Sequence, residues 1–171
     1  MKILGIDLAG KARNPTGICI FKEDSVILKT VYNDEEIWGI ANALKPDVVA
    51  IDAPIIKGET KIRKADILLK KYRALPVTLP GMTALAMRGT KLAAQLSKYY
   101  QVIEVFPTAT MKILGFYHKN YKETARFLKI KVENKHELDA YICCLTGKMF
   151  LEGKTETLGD ENGRIIIPKV K

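Results

Sequence analysis

The stretch Lys2–Gly10, "KILGIDLAG", places an acid inside a run that otherwise has the pattern of a buried β-strand. Ile3, Leu4, Ile6 and Leu8 are apolar, and the run closes at Gly10. An ionised carboxylate in such a setting costs several kcal/mol unless a cation or hydrogen bonds compensate it. Asp7 therefore demands a partner elsewhere in the chain.

Moving outward, Lys2–Leu8, Thr16–Phe21 and Val26–Tyr32 are three strand-like segments joined by "KARNPTG" and "KEDS". Both links are rich in turn formers, which predicts an antiparallel meander. Asp34 is the expected cap of a helix over Glu35–Leu44, ended by Lys45-Pro46. "DVVAIDAP" then has the continuous apolar run of a fully buried strand. Apolar positions at helical spacing cover Ile62–Arg73 and Thr83–Tyr100, with "LPVTLPG" as a loop between them. "QVIEVFP" is the next strand, and short helices are expected around Thr108–Leu114 and Tyr121–Leu128. A long helix follows over His136–Leu151, with Leu138, Tyr141, Ile142, Leu145 and Met149 on one face. "GDENGRIIIP" is expected to form a turn and one strand. The order predicts an α/β fold, a mixed sheet with helices on its faces.

The 171 residues are the size of one domain, and no repeat, linker or low-complexity tract divides them. Hydrophobic content of 47% and charged content of 27% are those of a soluble globular protein. Runs such as "VVAI" and "YICCL" are too short to cross a bilayer. No targeting segment is visible, so a cytoplasmic location is expected. Cys19, Cys143 and Cys144 form no CxxC pair, which argues against a disulfide framework or a zinc knuckle and for small core residues. The formal net charge of +9 suits polyanionic partners such as nucleic acid. It equally suits the lysine-rich solvated surface of a heat-adapted protein.

Three further acids join Asp7. Asp52 ends the apolar strand "VVAID", Glu104 lies within "VIEV", and Asp139 sits in "HELDAYICCLTG". Asp139 falls about 100° from the helix's apolar centre, at the edge of its buried stripe. A single strand-end acid is commonly a cap, a turn former or an ion-pair partner. Four such acids are harder to dismiss, because converging carboxylates repel one another unless a metal lies among them. An all-oxygen set suits Mg2+ or Mn2+, and two such ions can hold the attacking and leaving oxygens of a phosphodiester.

Taken together and in order, "ILGIDLAG", "VVAIDAP", "VIEVFP", "HELDAYICCLTG", "IRKAD" and "GRIIIP" resemble an uncharacterised family of predicted nucleases, domain-of-unknown-function family four-two-nine. The resemblance spans nearly the whole chain. It implies a single ribonuclease H-like domain over 1–171, with a five-stranded mixed sheet, flanking helices and a helical insertion at about 55–100 between the fourth and fifth strands. It also implies a first-strand acid at Asp7 and a fourth-strand acid at Asp52. The last helix is similar to that of RuvC-type Holliday-junction resolvases, which carry an acid or histidine three residues before an Asp-Ala pair. That pattern falls here on His136, Asp139 and Ala140. Residues three apart share a helix face, so His136 and Asp139 address one site while Glu137 points elsewhere.

The resulting expectation is a Mg2+- or Mn2+-dependent nuclease with Asp7, Asp52, Asp139 and Glu104 as metal ligands and His136 as base for the attacking water. Glu104 has no counterpart among the resolvase acids, so a role beside the ligands or on the substrate stays open for it. Lys11 and Arg13, in the hairpin loop after Asp7, are candidate phosphate contacts or plain solvated turn residues. Arg63 is either an ion-pair partner of Asp66 or, as the resemblance implies, a residue that reaches the site. Arg88 needs a partner because it lies in a largely apolar helical stretch, and it is the fourth candidate substrate contact. The partner would be nucleic acid, DNA or RNA, with no membrane; homodimer formation is left open. "GIDLAG" alone also resembles the first phosphate loop of actin-like ATPases. An actin-like nucleotide binder and a non-catalytic nucleic-acid-binding module are therefore the alternatives.

Overall fold

The computed structural model describes residues 1–169. Its strands are β1 (Lys2–Asp7), β2 (Thr16–Lys22), β3 (Ser25–Val31), β4 (Val48–Asp52), β5 (Gln101–Val105), β6 (Thr155–Asp160) and β7 (Gly163–Pro168). The helices are α1 (Asp34–Leu44), α2 (Lys64–Leu68), α3 (Pro80–Leu96), α4 (Pro107–Ile113), α5 (Tyr121–Phe127) and α6 (Lys135–Leu151). All seven strands form one sheet in the order β3-β2-β1-β4-β5-β7-β6. The expected antiparallel meander is present, and β1, β4 and β5 run parallel through the centre.

The sheet has seven strands rather than five. The expected terminal strand is the second arm of a hairpin, β6–β7, and β7 joins β5 at only two positions, Glu104↔Ile165 and Val105↔Ile166. β6 escapes notice because "TETLGD" at a half-exposed edge carries no apolar run. Two boundaries differ as well. α1 is capped by Asn33, whose side chain accepts from the Glu36 backbone N–H at 2.9 Å while Glu36 returns a bond to the Asn33 N–H at 3.2 Å. In the insertion, α2 is only five residues long and α3 starts at Pro80, a favoured first helical residue.

Residues in register on parallel neighbours share a face of the sheet. Ile3, Val48, Ala50, Ile103 and Val105 pack under α6, whereas Leu4, Ile6, Val49 and Ile51 pack under α1 and α3. The sequence marks one apolar face of α6, carrying Leu138, Ile142 and Leu145, and that face is not the one laid on the central strands. Instead Ala140, Cys143 and Cys144 meet the sheet, while Leu138 and Ile142 pack with Met111, Phe116 and Ala125 of the α4–α5 region. The reason is close approach. A Cβ on Gly5 would lie 2.3 Å from the Ala140 carbonyl oxygen, and one on Gly17 would lie 1.9 Å from that of His136. Only glycines on the sheet admit this helix, and the contact lowers its first turn onto the end of β1. No helix among the described residues is long and apolar enough to cross a membrane.

Candidate active site

The parallel ladder of β1 and β4 sets Asp7 directly against Asp52, both at the last residue of their strands and both on the α6 face. α6 starts above this pair. Asn134 caps it by accepting from the Glu137 N–H at 3.0 Å, which fixes where the first turn begins. That turn delivers Lys135, His136 and Asp139. His136 Nδ1 lies 2.8 Å from Asp7 Oδ2, and Lys135 Nζ is bonded to Asp139 Oδ2. As expected, Glu137 turns away: it accepts from the Thr30 hydroxyl at 3.2 Å and the Glu133 N–H at 2.8 Å.

Electrostatics mark the cluster as short of positive charge. Burial, then the charges of Asp7 and Asp139, push the Asp52 carboxyl well above the ordinary carboxylate range. No donor among the described residues hydrogen-bonds the Asp52 carboxylate. Burial and the Asp7 charge likewise raise Asp139, against the pull of Lys135. The hydrogen bond to Asp7 holds His136 above the usual imidazole value. Burial alone would lower Lys135, but the charges of Asp139, Asp7 and Asp52 raise it. Nothing in composition sets Lys135 apart from the chain's other lysines, although its spacing of four from Asp139 is that of a helical ion pair. Among the described residues it supplies the only ammonium bonded within the acid cluster.

The donor set of three carboxylates and an imidazole suits a hard divalent cation. An unpartnered, partly buried Asp52 beside two more carboxylates is what such an ion would compensate. As placed, Asp139 is bonded to Lys135 and Asp7 to His136. Among the described residues no three acid, histidine or cysteine side chains close on a common point.

Glu104, expected among the metal ligands, does not join the aspartates. It stands in register with Ile51, not Asp52, and therefore lies on the opposite face of the sheet from the aspartates. Its carboxylate is taken up by Arg63, with 2.7 Å contacts from Nη1 to Oε2 and Nη2 to Oε1, and by the Ile55 N–H at 2.7 Å. Burial pushes this carboxyl up, and Arg63 opposes the shift. Arg63 also bonds Asp66 at 2.7 Å and is 1% exposed, so its guanidinium is closed to a substrate. Arg88 is likewise committed: it donates to the Ala9 carbonyl at 2.7 Å, the Tyr32 carbonyl at 2.9 Å and Asp34 at 2.8 and 2.9 Å. It ties α3 to the loops that leave β1 and β3. Lys11 and Arg13 are exposed on the loop after Asp7 and make no side-chain hydrogen bond or ion pair among the described residues.

The sequence matches no family model and no curated protein. Among solved structures the fold is similar to that of T. thermophilus RuvC in complex with Holliday junction substrate, at TM-score 0.54 and 14% identity. The match covers 90% of this chain and 96% of that one. It supports the ribonuclease H-like architecture; the finer resemblance to family four-two-nine gains no support from these comparisons.

Proposed function

We propose that the protein is a Mg2+- or Mn2+-dependent nuclease that hydrolyses phosphodiester bonds of nucleic acid. The observation that carries this reading is the in-register pair Asp7–Asp52 beneath the first turn of α6, which adds Asp139 and His136 to the same strand ends. Asp7, Asp52 and Asp139 would hold the cation once Lys135 yields Asp139. Bound there, the ion would supply charge stabilisation to the phosphate oxygens.

The chain's own groups account for the remaining work. Asp7 fixes the His136 ring through Nδ1, which leaves Nε2 as the free proton acceptor. His136 is 44% exposed, so water reaches it. The water oxygen attacks phosphorus, its proton passes to Nε2, and the ester oxygen leaves with the bond's electron pair. Lys11 and Arg13, exposed on the loop after Asp7, would hold a flanking phosphate. The fold's likeness to a junction-bound RuvC supports a nucleic-acid substrate by analogy.

The test is a cleavage screen over single-strand, duplex, hybrid and junction substrates with Mn2+. Cleavage that Asp7→Asn and Asp139→Asn each abolish, with folding intact, upholds the reading; cleavage undiminished in both variants at saturating metal rejects it. One observation favours a second reading, a non-catalytic nucleic-acid-binding module: Lys135 already partners Asp139, one of the acids that a metal would need. Its sign would be salt-sensitive binding that EDTA and the acid-to-amide changes leave unaltered.

A further inference from the structure

On the sheet face opposite the aspartates, a pocket of about 450 Å3 opens between α1 and α3, lined by Trp38, Asn42, Gln95, Lys98 and Tyr99. Its wall is aromatic. The Tyr99 ring stands edge-on to Trp38, with centroids 6.0 Å apart at 84°, yet Tyr99 is 72% exposed. A ring left that far in solvent contributes little to the core and remains available to stack.

The hydrogen-bond directions decide what the pocket offers. The Trp38 Nε1–H donates to Gln95 Oε1 at 3.4 Å, and the Tyr100 hydroxyl donates to Asn42 Oδ1 at 3.2 Å. Both amide carbonyls are thereby used as acceptors. Both amide NH2 groups are left as donors without partners among the described residues. Lys98 adds an ammonium that has no ion-pair partner among them. No carboxylate lines the pocket.

The matching ligand has a flat π face, acceptor oxygens on its edge and a negative charge. We propose that this pocket binds a nucleotide whose base carries carbonyl acceptors, of the thymine, uracil or guanine type. The base stacks on the exposed Tyr99 ring, its carbonyl edge meets the Gln95 and Asn42 amides, and its phosphate meets Lys98. An apolar partner would leave all three donors desolvated and unpaired, and an acidic peptide offers no flat face for Tyr99. The same chemistry is presented by a free nucleotide and by an unpaired base within a strand. The site is separate from the acid cluster. It lies on the α1–α3 side of the sheet, whereas Asp7, Asp52 and Asp139 lie on the α6 side, and the inference stands whether or not the acids hydrolyse anything.

Trp38 is the only tryptophan, so its fluorescence reports the pocket directly. The experiment titrates the full chain, in EDTA, with oligothymidylate, oligoadenylate, thymidine monophosphate and inorganic phosphate. Saturable quenching by oligothymidylate is expected, with oligoadenylate about tenfold weaker and inorganic phosphate inert. Tyr99→Ala and the isosteric Gln95→Glu, which replaces a donor with a charged acceptor, should each weaken quenching by about tenfold. Circular dichroism confirms that both variants fold. Quenching by the monophosphate at matching affinity assigns the site to free nucleotides, and quenching by the strand alone assigns it to a base within a polymer; both uphold the pocket. Absence of quenching, equal response to thymidylate and adenylate, full response to inorganic phosphate, or indifference to both substitutions would overturn it. None of those failures touches Mn2+-dependent cleavage, whose own test is the Asp7→Asn control.

Discussion

The Nδ1 atom of His136 lies 2.8 Å from Oδ2 of Asp7, joining residues 129 positions apart and seating the first turn of α6 on the end of β1. Because the carboxylate holds the imidazole above its ordinary value, His136 is protonated over more of the neutral range than a free histidine. A base must be unprotonated, so cleavage should rise with pH along an acidic limb displaced above the usual histidine value. His136→Ala should lower the rate by about 10²–10⁴-fold and remove that limb. A pH–rate profile with the limb intact in the variant would assign the ionisation to another group.

Asp52 is expected to trade stability for chemistry. Its folded-state carboxyl is raised above the unfolded value, so its contribution to stability is fully present below the unfolded value and is lost as pH rises through the folded one. The metal-free protein should therefore lose stability as pH climbs out of the carboxylate range towards neutrality, with Asp139 adding in the same direction. Asp52→Asn should raise the neutral-pH melting temperature, by about 2–4 °C for each kcal/mol gained, while abolishing cleavage. Differential scanning calorimetry of both proteins across pH makes the comparison. A lower melting temperature in the variant would show that Asp52 is already compensated.

Divalent metal should produce the same rescue without mutation. Binding to the folded state alone stabilises by about 2.7 kcal/mol at a hundredfold excess over Kd. Mn2+ is accordingly expected to raise the melting temperature of the parent protein and to leave Asp7→Asn nearly unmoved. Equal shifts in both would place the ion elsewhere.

Lys135 bonds the carboxylate that a metal would take. Its side chain is 63% exposed, so the ion pair is screened by water and easily opened. Lys135→Ala should tighten Mn2+ binding by about threefold to fivefold, in line with the modest energy of exposed pairs, as read by isothermal titration calorimetry. Unchanged or weaker binding would mean that the ammonium does not compete with the cation.

The cluster of Arg63, Asp66 and Glu104 is buried on the other face, at 1%, 5% and 4% exposure. Removing the guanidinium strands two carboxylates without a cation. Arg63→Ala should cost about 3–5 kcal/mol in chemical denaturation. Glu104→Gln should leave Mn2+ affinity at the parent value, because that side chain points away from the aspartates. A clear loss of metal affinity in Glu104→Gln would return it to the ligand set.

Much of the site could be read from residue order. Asp7 and Asp52 stood out as acids at the ends of apolar strand runs and Asp139 as an acid at the edge of a helix's buried stripe, whereas His136 came from the resemblance to the resolvase helix. Lys135 followed the helical ion-pair spacing but was hidden among many solvated lysines. Arg63 and Arg88 carried a visible need for a partner without revealing that the partners were Glu104, Asp66, Asp34 and backbone carbonyls.

Periodicity and composition by themselves determined the order of the first five strands and of the long helices, and the acids set within or at the ends of apolar strand runs, because those signals are local and repeat every two or 3.6 residues. Tertiary pairing alone decided that Glu104 aligns with Ile51 rather than Asp52, which sends it to the far face, since a shift of one residue reverses the side of the sheet. It alone closed α6 onto Gly5 and Gly17, brought Lys135 among the acids and added the β6–β7 hairpin. Charge interactions follow distance through space, and separation along the chain does not encode that distance.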